Sequence, residues 1–551
     1  MSPFLPNATI LLLATIISTA AAAAVTPSHT LLRSTCISAR HPDLCISSIT
    51  ASASLLHSIS SSKDVIHASL NLTLAAVRRS IAGAKIISAR PSLTFRERDA
   101  VQDCLEMFDE TLDELRRADA DLRSYPPGVS SSKSLSRHVA DLKIMISGAI
   151  TNQESCADGF SHASDDRRLR LGILKGLTHI ERMCENALAM IRNMTDGDMA
   201  AAAAAAAVEG RSLASRYDGF PEWMTAGDRR LLQSAETTAD VMVAADGSGN
   251  FSTITEAVAA APVKSKRRFV IKIKAGVYAE NVEVPKNKTN IMFVGDGRTK
   301  TVITGSRNVV DGWTTFRSAT LAAVGSGFLA RDLRIENTAG PSKHQAVALR
   351  VGSDLSAFYN CDIIAHQDTL YVHSLRQFFR SCLIQGTVDF IFGNAAAVFQ
   401  DCDIQARRPG LNQKNMVTAQ GRSDPNEPTG IVLQSCRIAA TDDLEMAKDS
   451  FPSYLGRPWK EYSRTVVLRS EIGDFIRPEG WHEWNLDFGL DTLYYGEYEN
   501  TGPGAGTSRR VDWKGHRVIA DAGEAQQFTV GSFLEGSDWL GATGFPFSLG
   551  L

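Results

Sequence analysis

Hydrophobic positions recur with two different periods along this chain. From about residue 31 to 194 they fall at helical spacing. In "DCLEMFDETLDELRRADADL", Leu105, Phe108, Leu112 and Leu115 share one face while charged residues fill the opposite one. Several such segments with few strand signals predict an antiparallel helical bundle over residues 30–195, a packing or interaction module rather than a catalytic one. Beyond Ala239 the pattern changes to short β-branched runs such as "RFVIKIKAGVY", "NIMFVGDG" and "KTVITG", punctuated by Gly, Asn and Asp. Between the two halves, residues 196–232 read as a linker. It holds "AAAAAAAAV" at 200–208 and then "DRRLLQ" at 228–233, a paired-basic stretch in an exposed tether that suits a processing protease.

The strand-like half contains a repeat. "FYNCDI" ending at Ile363, "FRSCLI" at Ile384, "FQDCDI" at Ile404 and "LQSCRI" at Ile438 each place Cys two positions before Ile. Cys361, Cys382 and Cys402 are 21 and 20 residues apart, close to one turn of a parallel β-helix. "ARDLRI" ending at Ile335 keeps the register with Leu333 in the Cys place, and the longer gap before Cys436 requires a loop excursion. Stacked inward-facing side chains explain the recurrence of small apolar residues there.

Two aspartates inherit that register. Asp368 lies seven residues after Cys361, and Asp389 lies seven after Cys382. On stacked coils their Cα atoms would sit ~5 Å apart. A solvated pair in a turn is the ordinary reading of two such residues. In a setting of apolar and aromatic residues, however, close carboxylates cannot both ionise cheaply, so one keeps its proton and the pair supplies an acid and a nucleophile. Retaining glycoside hydrolysis also uses carboxyl groups about 5 Å apart, so spacing alone does not select the bond broken. Gln367, directly before Asp368, and Gln345 in "KHQAVALR" offer amide donors that would stabilise a tetrahedral oxyanion, which an ester needs and an acetal does not. In "YLGRPW", Arg457 offers a fork to hold Asp389 ionised and Trp459 a flat face for a sugar ring.

At 551 residues the chain exceeds a single ordinary core. Its formal charge of −3, from nearly balanced acidic and basic residues, gives no electrostatic case for nucleic acid or a membrane surface. Residues 8–25 are apolar and end in small residues, which reads as a secretory signal, with a retained signal anchor as the alternative over residues 1–25. Acceptor sites for N-glycans at Asn71, Asn193, Asn250 and Asn287 suit that route, and nine cysteines leave at least one thiol unpaired within the chain. No zinc spacing, phosphate-binding glycine loop or nucleophile-elbow serine stands in a fitting context, so no cofactor and no metal are expected.

The motifs "GVYAE", "QAVALR", "QDTLY", "DFIFG" and "LGRPW", in that order, resemble those of the plant pectin methylesterases, and the likeness covers residues 241–551. It implies a right-handed parallel β-helix over 233–551 that removes methyl groups from esterified homogalacturonan and releases methanol. Carried over, Asp389 would be the nucleophile, Asp368 the proton donor and later the base, and Gln367 the transition-state stabiliser. Gln345, Arg457, Trp459 and Thr315 in "GWTTFRSAT" would hold substrate. The resemblance also implies a disulfide between Cys382 and Cys402.

The helical half resembles the inhibitor-type pro-region of these enzymes. That implies bridges Cys36–Cys45 and Cys104–Cys156, with Cys184 left over. "RRLL" (Arg229, Arg230, Leu231, Leu232) matches the family's processing site, implying a subtilisin-like protease, secretion to the cell wall, and proteinaceous pectin methylesterase inhibitors as further partners. Two other readings stand beside this one. A β-helix hydrolase or lyase would shorten the polymer, and a non-catalytic protein would bind pectin through its β-helix and inhibit other esterases through its helices.

Overall fold

The structure is a computed structural model that describes residues 26–128, 133–160, 167–208 and 238–551. The expected signal segment and the site Arg229, Arg230, Leu231, Leu232 lie outside the described residues. Among the described residues no helix is long and apolar enough to cross a membrane.

The first half is helical, as its periodicity predicts. Three short helices, α1 (Pro27–Cys36), α2 (Pro42–Thr50) and α3 (Ala53–His57), precede four long ones: α4 (Ser62–Ser88), α5 (Phe95–Arg123), α6 (Leu135–Asp158) and α7 (Arg167–Val208). Capping boxes open α4 (Ser61 with Asp64) and α5 (Thr94 with Glu97), satisfying backbone N–H groups that a helix start leaves orphaned. α5 packs against α4 and α6, and α7 closes the bundle against α4 and α6. Disulfides join Cys36 to Cys45, and Cys104 on α5 to Cys156 on α6, with Cα separations of 5.7 and 4.6 Å.

One expectation needs correction here. α7 does not stop at residue 195 but continues through the alanine run to Val208. Alanine is the strongest helix former, so a run of it prolongs a helix that is already nucleated. The charged face of α5 is packed: Asp103, Glu110 and Glu114 are all buried, Asp103 against Arg317 of the second half and Glu114 against Asn152 of α6.

The second half winds as a parallel β-helix. Its strands form sheets of eleven, eight and seven members, each neighbour pairing parallel with the coil before and after it. One coil runs Ser356–Tyr359, Asp362–Ile364, Leu370–Val372, one strand per sheet, and the next runs Arg376–Arg380, Leu383–Gly386, Ile391–Gly393. Between the first and second strand of a coil the chain bends at one residue with positive φ: Asp332, Asn360, Ser381, Asp401, Ser435, Arg469 and Glu499. The bend explains the polar residue before each repeat cysteine, since Asn and Asp tolerate the left-handed region best.

Inward positions stack in ladders. Ile303, Ile335, Ile363, Ile384, Ile404, Ile438 and Ile472 are register partners on consecutive coils. Phe358, Phe379 and Phe399 stack nearly parallel, with centroids 4.9 and 4.5 Å apart. The repeat read from sequence is this core.

The expected bridge between Cys382 and Cys402 is absent, and both are buried thiols beside Cys361 and Cys436. Cys382 donates to the carbonyl of Phe358 and Cys402 to that of Phe379, both at 3.5 Å, and Cys436 to that of Phe399 at 3.4 Å. Each of these sulfurs therefore sits in an equivalent place, bonded to the backbone of the preceding coil, and the geometry singles out no pair. Titration of the denatured chain without reductant should count five thiols, at Cys184, Cys361, Cys382, Cys402 and Cys436. A count of three would restore the bridge.

Candidate active site

The seven-stranded sheet carries the site on its outer face. Strand Leu370–Val372 pairs in register with Ile391–Gly393, setting Tyr371 against Phe392. Asp368 and Asp389 stand three residues before these two aromatics, each with positive φ (62° and 51°), so both carboxylates leave equivalent bends on adjacent coils. Non-glycine residues held there at a cleft store backbone strain. Both aspartates are largely buried, at 7 and 6 % exposure.

Their environments differ. Arg457 donates to Asp389 twice, Nε to Oδ1 at 2.8 Å and Nη2 to Oδ2 at 2.6 Å. Such a planar fork holds a carboxylate charged and oriented. Arg457 is fixed in turn by its own N–H on the Thr418 carbonyl at 3.0 Å and by the face of Trp484, 4.3 Å away. Asp368 has no such partner. Burial, and then the negative charge of Asp389, push its pKa well above the ordinary aspartate value, against a weaker opposing pull from Arg457. One carboxylate is set up as an anion and its neighbour as an acid.

A cavity of about 440 Å³ opens over the pair, and Thr315, Gln345, Gln367, Arg457 and Trp459 all line it together with Asp368 and Asp389. Every catalytic or substrate-contacting residue named from sequence is thus brought to one place. The Gln367 carbonyl accepts from Ala346 N–H at 3.2 Å, tying the two glutamine segments together, while Gln367 Oε1 is buried without a partner. Trp459 packs edge-on to Tyr371 and Phe392, whose rings stack at 4.3 Å. Gly421 makes room for it, because a Cβ there would lie 2.8 Å from the indole.

Sequence reasoning missed Tyr371, Phe392 and Trp484. The first two carried a signal, since each lies three residues beyond an aspartate in the repeated register. It also missed that helices complete the cavity: Arg96, Ser155, Asp158 and Gly159 form its roof. Ser155 Oγ lies 2.8 Å from His373 Nε2 and 3.2 Å from Tyr371 Oη, and Asn394 donates to Thr151 at 2.9 Å. Nothing in an amphipathic helix announces which neighbour its polar face will meet.

Comparison with known proteins decides the assignment. The family profile described as "Pectinesterase" matches residues 240–537, and "Plant invertase/pectin methylesterase inhibitor" matches residues 30–190. "Pectinesterase 1" of Citrus sinensis is 61% identical over 525 residues, covering 95% of this chain and 89% of that protein. The chain belongs to the pectinesterase family. "Pectinesterase/pectinesterase inhibitor U1" of Solanum lycopersicum is likewise 61% identical over 526 residues, covering 95% of this chain and 90% of its own.

A solved structure, "Pectin methylesterase from Carrot", superposes with TM-score 0.57 at 69% identity, taking in 58% of this pectinesterase and 100% of the carrot chain. The "Pectinesterase" of Daucus carota is 70% identical over 319 residues, again 58% of this chain and the whole of that one. The β-helical part therefore corresponds to the whole of a solved chain that has no counterpart of the helical half. This pectinesterase is a carboxylic ester hydrolase carrying an inhibitor-like helical segment.

The raised pKa of Asp368 has a measurable consequence. The folded state binds this proton more tightly than the unfolded chain, so stability falls as pH rises from the ordinary aspartate range through the raised folded value. Asp368→Asn removes that loss. In denaturant titrations the variant should match the parent below the ordinary aspartate range and exceed it increasingly above. Identical curves at every pH would show that Asp368 is not held as the acid.

Proposed function

We propose that this chain de-methylesterifies homogalacturonan through an aspartyl acyl-enzyme, with Asp389 as nucleophile and Asp368 as acid and base. The Asp389 carboxylate attacks the ester carbonyl carbon, and the amides of Gln367 and Gln345 stabilise the oxyanion that forms. Collapse breaks the bond to the methoxy oxygen, which takes the proton of Asp368 and leaves as methanol. The Asp368 carboxylate then accepts a proton from water as it attacks the acyl carbon, freeing the galacturonate and Asp389. Thr315 and Trp459 hold the sugar chain, and Arg457 keeps Asp389 charged and aimed. The observation that carries this reading is the stacked pair itself, one member doubly bonded to Arg457 and the other driven toward its neutral form.

The helical segment supports a second element. α5 and α6 lie across the cavity, so a polymer cannot cross it while they are docked. We read the full chain as a silent precursor that is secreted to the cell wall and released by cleavage at Arg229, Arg230, Leu231, Leu232 by a subtilisin-like protease. Separate inhibitor proteins would use the same face.

Residues 238–551 should release methanol from highly methylated pectin without shortening it, and Asp389→Asn should lower that rate by roughly 10³-fold or more. Shortened chains would favour a glycosidase or lyase, and unchanged pectin a binding protein. If the docked state is preferred by ~1.4 kcal/mol or more, the full chain should be at least ~10-fold slower than residues 238–551. Equal rates would remove the inhibitory role.

A further inference from the structure

Two residues of this protein break a local rule at the same point. Leu375, at the bend ahead of strand Arg376–Arg380, has a φ of 67°, the largest positive value of any described non-glycine residue. In that conformation a Cβ is crowded by the following carbonyl, so glycine or asparagine is the ordinary choice and a leucine is strained. Gly148 stands in the middle of α6, where glycine is the poorest helix former after proline. The two meet. A Cβ on Gly148 would lie 3.0 Å from Leu375 Cδ2 and 2.6 Å from Glu114 Oε1 of α5. Leu375 fills the notch that Gly148 leaves open and is 4 % exposed. It belongs to the apolar cluster shared with the helices, not to the inner core that holds Phe358, Phe379 and Phe399.

Charged groups ring this contact. Arg376 reaches Asp141 of α6 at 2.7 Å and Asp354, one coil earlier, at 2.8 Å, and Arg117 of α5 approaches Asp354 at 3.6 Å. Asp141 lies seven residues before Gly148, two helical turns, so both occupy one face of α6. An apolar side chain closed in by polar partners is the arrangement that concentrates binding energy in an interface. Leu375, Arg376, Asp354, Asp141 and Gly148 all stand outside the cavity lining over Asp368 and Asp389. Whatever this contact does, it does away from the chemistry.

We propose that Leu375, ringed by Arg376 and Asp354, is the anchor by which the β-helix holds a helical hairpin, and that the hairpin must bring a glycine to this step with a carboxylate two turns ahead of it. The α5–α6 hairpin of this chain is that partner. Selection is steric, because a larger side chain at position 148 meets Leu375 and Glu114 at once. The inference rests on the reading of the helical segment as a cover over the cleft, and adds what holds the cover in place. Both local violations follow from it: each is unfavourable in its own half and favourable only where the halves meet.

The test compares the full chain with residues 238–551. In residues 238–551, L375N should raise the urea midpoint and leave methanol release from pectin unchanged, because asparagine relieves the bend and the leucine there has lost its cover. In the full chain, L375N and G148L should each raise methanol release ~10-fold, toward the rate of residues 238–551. Hydrogen exchange reads docking without reference to activity, on the side that is not substituted: it should quicken over residues 135–158 in L375N and over residues 370–380 in G148L. G148L replaces a poor helix former by a good one, and L375N carries the test alone if that variant fails to fold. A urea midpoint that fails to rise would show that the leucine serves the β-helix itself. Unchanged exchange in a folded full-chain variant would show that docking is held elsewhere. Either result overturns the inference. If the parent full chain is as fast as residues 238–551 while exchange still quickens in the variants, the anchor stands and the inhibitory role falls.

Discussion

The in-register parallel stacking of successive coils is the constraint on which everything else depends. Because Leu370 pairs with Ile391 and Tyr371 with Phe392, whatever one coil places at a given step the next places directly beside it. The same rule that stacks Phe358 on Phe379 inside stacks Asp368 beside Asp389 at the rim. A slip of one residue would turn the isoleucine ladder outward and drive the aspartates apart, so the apolar core and the geometry of the carboxylate pair are fixed by one register. The left-handed residue ahead of each second strand keeps that register, since it sets the bend at the same step in every coil.

Stacking like charges would be destabilising if both were ionised, and the site resolves this through unequal surroundings. Arg457 reaches only one of the pair with its fork, and the loop that carries it hangs from the strand Ser453–Gly456, stacked on Asn415–Gln420. A Cβ at Gly456 would lie 2.1 Å from Thr418 Oγ1, so glycine is required for the two strands to approach there. The glycine of "LGRPW" thus acts on the chemistry through the arginine it positions. The asymmetry between two chemically identical side chains comes from a strand two coils away.

This explains what could and could not be read from the sequence. The β-helix was legible because its core repeats a visible pair, Cys and Ile, at the coil period, and the aspartates were legible because they share that period. Arg457 and Trp459 were read from the chemistry of an Arg and a Trp close together in "YLGRPW" and then matched by the resemblance, while Tyr371 and Phe392 were passed over although they share the aspartates' register. What the charged face of α5 meets could not be read, because the partner of Asp103, Arg317, lies far along the chain and only the tertiary contact joins them. The alanine run misled: low complexity suggested a tether, whereas α7 extends through it. The resemblance also implied a bridge at Cys382 and Cys402, where the structure has a ladder of separate thiols.

The nature of the interface between the two halves follows from what it must do. α5 and α6 meet the β-helix through both apolar and polar contacts: Phe95 packs edge-on to Trp313 at 5.1 Å, while Asp103 pairs with Arg317 and Ser155 Oγ lies 2.8 Å from His373 Nε2. Burial pushes Asp103 up to about 7 and Glu110 up to about 8, so desolvation outweighs much of the attraction these groups feel for the nearby arginines. A buried ion pair contributes little net stability but a great deal of registry, because a displaced segment would leave charges buried and unmatched. Covalent attachment adds to these contacts, because a tethered partner acts at a high effective concentration.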